Sequence, residues 1–272
     1  MKTLVISLAK IKERRNHILN HVKERKLDFT IIEGIDGSRL SKEYMASVCD
    51  MEEVNKLRWW LTNGAIGCAL SHYKAYEYII ENNLKYAFIL EDDAVMPENT
   101  GQILQEIENK ILDNEIILLY YASFSPCKLS TVGKVNLTKK ESLVYPIDIT
   151  QTITATAYII TNKAAKNMLD MIKPIRVAAD SWYYYYDKGA FTSLRVLYPT
   201  AFNIKYYKSS IDYINTKSAK GMILHFINTY KIPLLFQLLR YRRGKRRGKM
   251  LNHFSLTNEE SPIYKKLESE VN

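Results

Sequence analysis

The sequence predicts an α/β fold, a doubly wound nucleotide-binding domain built on a mostly parallel central sheet. Three observations carry that prediction. The chain opens on a β-α-β pattern with a short second strand. Apolar runs of strand length then alternate with stretches of helical periodicity. One of those runs, "YAFILEDDAV", ends abruptly in three acids, Glu91, Asp92 and Asp93, and open α/β sheets bind their ligands at the carboxyl ends of strands.

Taken in order, "TLVISL" reads as a short buried strand, and "ERRNHILNHVKER" as a helix with Ile18, Leu19 and Val22 on one face. "DFTIIEGIDG" returns to strand and closes on Gly34 and Gly37, with Asp36 between them. Neither a GxGxxG fingerprint nor a P-loop is present. "LTNGAIGCALSHYKAYEYIIENN" begins with Thr62 or Asn63 as N-cap and continues as a helix whose Leu70, Tyr73, Tyr76 and Ile80 share a face. "YAFILEDDAV" and "NEIILLYY" read as strands, and "SFSPCKLSTVGKV" as an exposed loop. "TATAYIITNKAAKNMLDMI" is a strand followed by a helix starting near Asn162, and "KPIRVAADSWYYYYDKG" a loop carrying Asp180. From about residue 215 the pattern becomes amphipathic, is broken by Pro233 and ends in a basic cluster. These readings divide the chain into a sheet domain over 1–214 and a helical, basic segment over 215–272.

At 272 residues, 47% hydrophobic and 25% charged, the chain can bury a sizeable core and is not of disordered composition. Cys49, Cys68 and Cys127 form no CxxC or Cys/His metal spacing, which points to reduced thiols and a cytoplasmic location. The apolar run Leu4 to Ala9 is too short for a secretory leader. No stretch reaches the ~20 apolar residues that span a bilayer. The net charge is +10, and "RYRRGKRRGK" from Arg240 to Lys249 holds seven basic residues and no acid, which leaves +3 for the rest (10 − 7). This is a basic tail on a nearly neutral domain, not a uniformly basic nucleic-acid binder. Leu234, Leu235, Leu238 and Leu239 precede it, and together they read as an interfacial helix, each basic residue contributing ~1 kcal/mol near an anionic leaflet. A packed helix with a solvated basic end is the competing reading, and nucleic-acid contact is a weaker third.

Crowded carboxylates raise one another's pKa unless a cation offsets them, and hard oxygen ligands suit Mg²⁺ or Mn²⁺. The residues alone therefore suggest a metal–nucleotide site at Glu91, Asp92 and Asp93; a solvated strand end remains open beside it.

"LVISLAKIKERR", "GIDGSRL", "GAIGCALSHYKAYEYII", "YAFILEDDAV", "AYIITNKAAKNML" and "AADSW" occur in that order between Leu4 and Trp182, within a resemblance that covers residues 2 to about 212. Together they resemble glycosyltransferase family 25, the bacterial lipooligosaccharide galactosyltransferases and their collagen-modifying relatives. The resemblance implies a GT-A-like fold binding a nucleotide sugar, a divalent metal (Mn²⁺ or Mg²⁺) at the acids, and inversion at the anomeric carbon. Carried over by position, it makes Asp93, with Asp92, the metal ligands and Glu91 a ribose or sugar contact. Ser7 and Leu8 with Arg14 or Arg15 match the opening motif that would hold the nucleoside and its phosphates. Asp36 matches an acceptor for uracil or ribose, and Gly67, Ser71 and His72 match the glycine–helix motif beside the donor. Asp180 matches the candidate general base, with Asp187 as fallback. Three departures stand out: Ala65 where the family often has Glu, "TATAY" without the usual glycine, and "AAD" in place of "PVD".

Bland readings stand beside several of these. Asp180 could instead N-cap the "SWYYYYD" segment, His72 could be a satisfied buried histidine, and Arg14 and Arg15 could be solvated surface. Trp59, Trp60 and Trp182 with Tyr183 to Tyr186 could form core or an acceptor platform. The resulting expectation is an inverting transferase moving galactose from UDP-galactose onto a lipooligosaccharide or LPS core acceptor. UDP-glucose and UDP-N-acetylglucosamine are alternative donors, and the enzyme would be peripheral on the inner face of the bacterial inner membrane. A nucleotidyltransferase would need a second acid on an adjacent strand and a triphosphate loop, neither of which is found. A non-catalytic carbohydrate-binding or scaffold protein at the membrane surface would need no metal site.

Overall fold

The computed structural model describes residues 1–57, 60–207, 219–230, 232–239, 241–242 and 253–271. β1 (Lys2–Ser7), α1 (Lys12–Glu24) and β2 (Phe29–Glu33) form the opening unit; α2 (Lys42–Val48), α3 (Met51–Lys56) and α4 (Asn63–Glu81) follow. Next come β3 (Tyr86–Glu91), β4 (Ala94–Val95), α5 (Thr100–Glu108), β5 (Glu115–Ala122), β6 (Cys127–Asn136), β7 (Ser142–Pro146) and β8 (Ile153–Thr161). The chain then runs through α6 (Asn162–Ile172), α7 (Trp182–Asp187), β9 (Ser193–Tyr198), β10 (Asn203–Ile204), α8 (Ala219–Tyr230), β11 (Phe254–Thr257) and a last helix, Pro262–Val271.

Nine strands make one sheet in the order β11-β6-β7-β9-β5-β8-β3-β1-β2. The pairings orient β1, β2, β3, β5, β6, β9 and β11 one way, with β7 and β8 running against them. The sheet is thus mostly parallel, as expected. Its apolar residues point to both faces: α1 and α5 cover one, α4, α6, α7 and the last helix the other. Strands buried on both faces explain the unbroken apolar runs of β3 and β5.

The chain leaves β1 for β2 on one side and returns to β3 on the other, so β1 lies at a topological switch point. A crevice opens there beyond the strand ends. Thr62 caps α4 by accepting from Ala65 N at 3.3 Å, and Thr161 caps α6, where the sequence places those starts.

Two expectations are corrected. "SFSPCKLSTVGKV" is no exposed loop: from Cys127 it forms strand β6, with Cys127 and Leu129 buried around exposed Lys128. Its Ser, Pro and Gly content hid that alternation. Nor is 215–272 wholly helical and separate. Phe254–Thr257 pairs in parallel with β6, and Phe254 meets the Tyr121 ring edge-on at 4.5 Å. Ile263 of the last helix is buried in the main core, and Ser261 Oγ donates to the Pro146 carbonyl at 2.7 Å. The proposed domain boundary, and the basic run except Tyr241 and Arg242, lie outside the described residues. Among the described residues no helix is long and apolar enough to cross a membrane.

Candidate functional site

At the switch point, β1 ends in Ser7 and β3 ends in Glu91, with Asp92 and Asp93 in the turn that follows. Ser7 Oγ donates to Asp92 Oδ2 at 2.9 Å. Arg14, on the first turn of α1, donates Nε to Asp92 Oδ1 at 2.6 Å and Nη2 to Asp93 Oδ2 at 3.0 Å. One guanidinium therefore bridges both aspartates. Burial alone would lower the Arg14 pKa, but the charges of Asp93, Asp92 and Glu91 outweigh it and raise it. Arg15 points elsewhere: it donates to the Ser7 carbonyl at 3.2 Å and pairs with Glu33. Of the two arginines, the structure places Arg14 at the acids.

The carboxylates differ in character. Burial, reinforced by Glu91 and Asp92 and opposed by Arg14, pushes Asp93 up to about 7. Asp92 is also raised, by burial first. Burial would raise Glu91 too, but the hydrogen bond and charge of His72, then Cys68 and Arg14, carry it below its ordinary value. His72 is fully buried, its Nε2 3.2 Å from Glu91 Oε1 and its Nδ1 2.8 Å from the Tyr158 hydroxyl. The histidine is thus satisfied by side chains; it reaches the site through Glu91 and lines neither cavity described below.

A cavity of about 250 Å³ opens over this cluster, lined among others by Ser7, Leu8, Arg14, Asp36, Ser71 and the three acids. Asp36 already accepts from Lys10 Nζ at 2.5 Å and from Ser38 Oγ at 2.7 Å. These bonds, Lys10 foremost, lower its pKa to about 2. Gly67 does not line the cavity but lets α4 approach its rim: a Cβ there would lie 2.5 Å from the Ile35 carbonyl oxygen and 2.6 Å from Gly37 N. Ser71 Oγ ties the same loop down by accepting from Ile35 N at 2.8 Å.

A second cavity, about 160 Å³, lies on the other side of Glu91 and contains Thr154, Thr156 and Asp180. Glu91 and Cys68 line both cavities and form their common wall. Asp180 Oδ2 accepts from Thr154 N at 3.2 Å, and burial, then the Glu91 charge, raises its pKa. It does not cap α7, whose N-cap position is Ser181. Thr154 has φ +88°, a conformation costing a β-branched residue about 1–3 kcal/mol. It is held by the Asp180 bond and by Trp182 Nε1, which donates to its carbonyl at 3.0 Å. Asp187 is exposed at the far end of α7 and lines neither cavity, so the fallback base is excluded by position. Trp182 and Tyr185 are core, while Tyr183 is exposed; Trp59 lies outside the described residues, and Trp60 packs against the core.

Three participants are not predicted by the sequence reading above. Cys68 sits on the wall between the cavities, and Thr154 orients Asp180. Ile204 to Tyr207 close the first cavity because β10 pairs antiparallel with β4, and Lys205 N donates to the Asp93 carbonyl at 2.8 Å. The two-residue strands carry too short a pattern to read, although the i,i+4 spacing of Cys68 and His72 on a predicted helix could have flagged the first.

As for a divalent cation, Asp93 Oδ1 is buried without a hydrogen-bond partner. A cation would satisfy it, and the oxygen donors of Asp92 and Asp93 suit Mn²⁺ or Mg²⁺. The residues present fit the ion.

Comparison with known proteins finds relatives by sequence. A Haemophilus influenzae protein of strain Rd, whose name assigns it to the glycosyltransferases, is 31% identical over 184 residues, covering 65% of this chain and 60% of its own length. The Haemophilus influenzae "Lipooligosaccharide biosynthesis protein lic2B" is 28% identical over 170 residues, 60% of each chain. This chain thus spans about three fifths of either relative. Mouse "Inactive glycosyltransferase 25 family member 3" is 27% identical over 119 residues, 41% of this chain and 19% of its own. The family model described as "Glycosyltransferase family 25 (LPS biosynthesis protein)" matches residues 1–183, about two thirds of the sequence and both sides of the Glu91 wall, and the chain belongs to that family.

Proposed function

We propose that the protein is an inverting, GT-A-like glycosyltransferase that takes a UDP-sugar in the first cavity and an acceptor hydroxyl in the second. The observation that carries this reading is the shared wall. Two cavities meet at Glu91, one lined by the acids and Arg14, the other by a buried carboxylate of raised pKa. Transfer between two substrates needs both held against one point of contact, and two cavities that share a wall provide it.

In this reading Asp93 and Asp92 hold a Mn²⁺ or Mg²⁺ ion, which supplies charge neutralisation for the departing diphosphate. Arg14, already bridging both aspartates, adds a fixed cation at the same place. Asp36 and the Ser7–Leu8 backbone receive the nucleoside. Asp180 takes the proton of the acceptor hydroxyl: its environment favours the protonated form, whereas that of Glu91 favours the anion. Paired carboxylates pushed apart in this way divide acid–base labour. Glu91, oriented by His72, contacts the sugar from the wall.

Galactose is the proposed donor sugar, with glucose and N-acetylglucosamine as alternatives, and a lipooligosaccharide or LPS core the acceptor. Exposed Met222, Ile223, Phe226 and Tyr230 of α8 and exposed Leu234, Leu235 and Leu238, followed by the basic run, support docking on an anionic bilayer where a lipid-linked acceptor resides. Calorimetric titration of UDP with and without Mn²⁺ tests the donor site. Metal-dependent binding is expected in the native protein and its loss in Asp93→Ala, after which a panel of UDP-sugars identifies the donor. No UDP binding under either condition overturns the reading.

A further inference from the structure

Cys68, His72 and Glu91 present one ligand atom each, Sγ, a ring nitrogen and a carboxylate oxygen, all within 4.8 Å of one another. Glu91 Oε1 stands 3.4 Å from Cys68 Sγ and 3.2 Å from His72 Nε2. Zinc bonds of about 2.0–2.3 Å in tetrahedral array put neighbouring ligand atoms roughly 3.3–3.7 Å apart, so two of the three separations are already at or near coordination spacing. Cys68 and His72 lie four residues apart on α4, and helical i,i+4 residues project side by side.

From this geometry we propose that Cys68, His72 and Glu91 form a three-ligand site for a thiophilic divalent cation, zinc, distinct from the oxygen-donor site at Asp92 and Asp93. Thiolate and imidazole donors select zinc, where carboxylates alone suit magnesium and manganese. The surroundings supply what a zinc histidine requires. With Nε2 on the metal, Nδ1–H donates to the Tyr158 hydroxyl at 2.8 Å, and Tyr158 donates in turn to the Tyr76 oxygen at 2.8 Å. Such outer partners fix the ring and its tautomer. The fourth position opens on the wall that faces both cavities, since Cys68 and Glu91 line each of them. Binding releases the Cys68 thiol proton to solvent, moves the proton that His72 Nε2 shares with Glu91 to Nδ1 (or to solvent from a charged ring), and replaces the Cys68–Glu91 and His72–Glu91 hydrogen bonds by three metal bonds. Zinc would then hold Glu91 at the junction of the two compartments, so occupancy regulates access between them.

The first test is titration of Co²⁺ into the full-length, metal-free protein, reading the near-ultraviolet thiolate-to-cobalt charge-transfer band, followed by displacement with Zn²⁺. The band is expected in the native protein and in Cys49→Ser, and is expected to vanish in Cys68→Ser. Tyr158→Phe is expected to weaken Zn²⁺ binding about 10- to 100-fold. Absence of the band in the native protein, or its persistence in Cys68→Ser, overturns the proposal. X-ray absorption at the zinc edge of the native protein needs no variant: one sulfur with nitrogen and oxygen ligands supports the site, and a shell of nitrogen and oxygen alone refutes it. Neither readout involves UDP, so failure here and failure of the donor-site reading are separate results.

Discussion

Asp93 carries a buried charge in the first cavity. Its pKa in the folded chain is about 7, raised by burial and then by Glu91, against an ordinary value near 4. Between those values the folded state holds a proton that the unfolded state has released, so stability falls as pH rises through that window. Asp93→Asn removes the titration while keeping an oxygen for Arg14. The melting temperature of the variant relative to the native protein is expected to climb between about pH 5 and about pH 8; a difference flat across that range would refute the charge cost. Asp180 belongs to the other cavity and to the chemistry instead. Asp180→Asn keeps the acceptor oxygen for Thr154 N but cannot take a proton. A drop in kcat of about 100-fold or more is expected, with UDP affinity unchanged by calorimetry. Equal loss of both would make it a structural residue.

At the scale of elements, α4 is where the site is assembled. Its amino-terminal half carries Gly67, Cys68, Ser71 and His72, which meet in turn the Ile35–Gly37 loop, the cavity wall and Glu91. Gly67→Ala would drive a methyl group into backbone atoms that cannot swing away. A loss of roughly 1–3 kcal/mol in denaturant unfolding is expected, with weakened UDP binding as the loop shifts; an unchanged midpoint would mean the loop yields freely. This helix and the strand before the acids were legible because their signals are local: an N-cap, a period, an apolar run broken by charge. β6 was not, since its pattern is interrupted by Gly133 and a register shift. Thr154 was invisible for another reason. Its backbone conformation is imposed by Asp180 and Trp182, 26 and 28 residues away.

At the scale of the molecule, exposed apolar residues on α8 and the exposed leucines after it precede the basic run in the sequence. The full chain is expected to float with vesicles containing anionic lipid and to be released as salt is raised. Flotation with neutral vesicles that is indifferent to salt would assign binding to the apolar residues alone. The charge run was plain in the sequence, and so was the mostly parallel central sheet; the return of the chain after residue 253 to add β11 was not, because four residues of edge strand have no periodicity to read. The placement of β10 has a further consequence. The family match ends at residue 183, yet Ile204 to Tyr207 wall the cavity over the acids. Floor and wall are therefore drawn from two stretches of chain, one held to the family pattern and one outside it. Substitutions in four residues can recontour the cavity while every carboxylate stays in place, so shape and charge are free to evolve separately in this site.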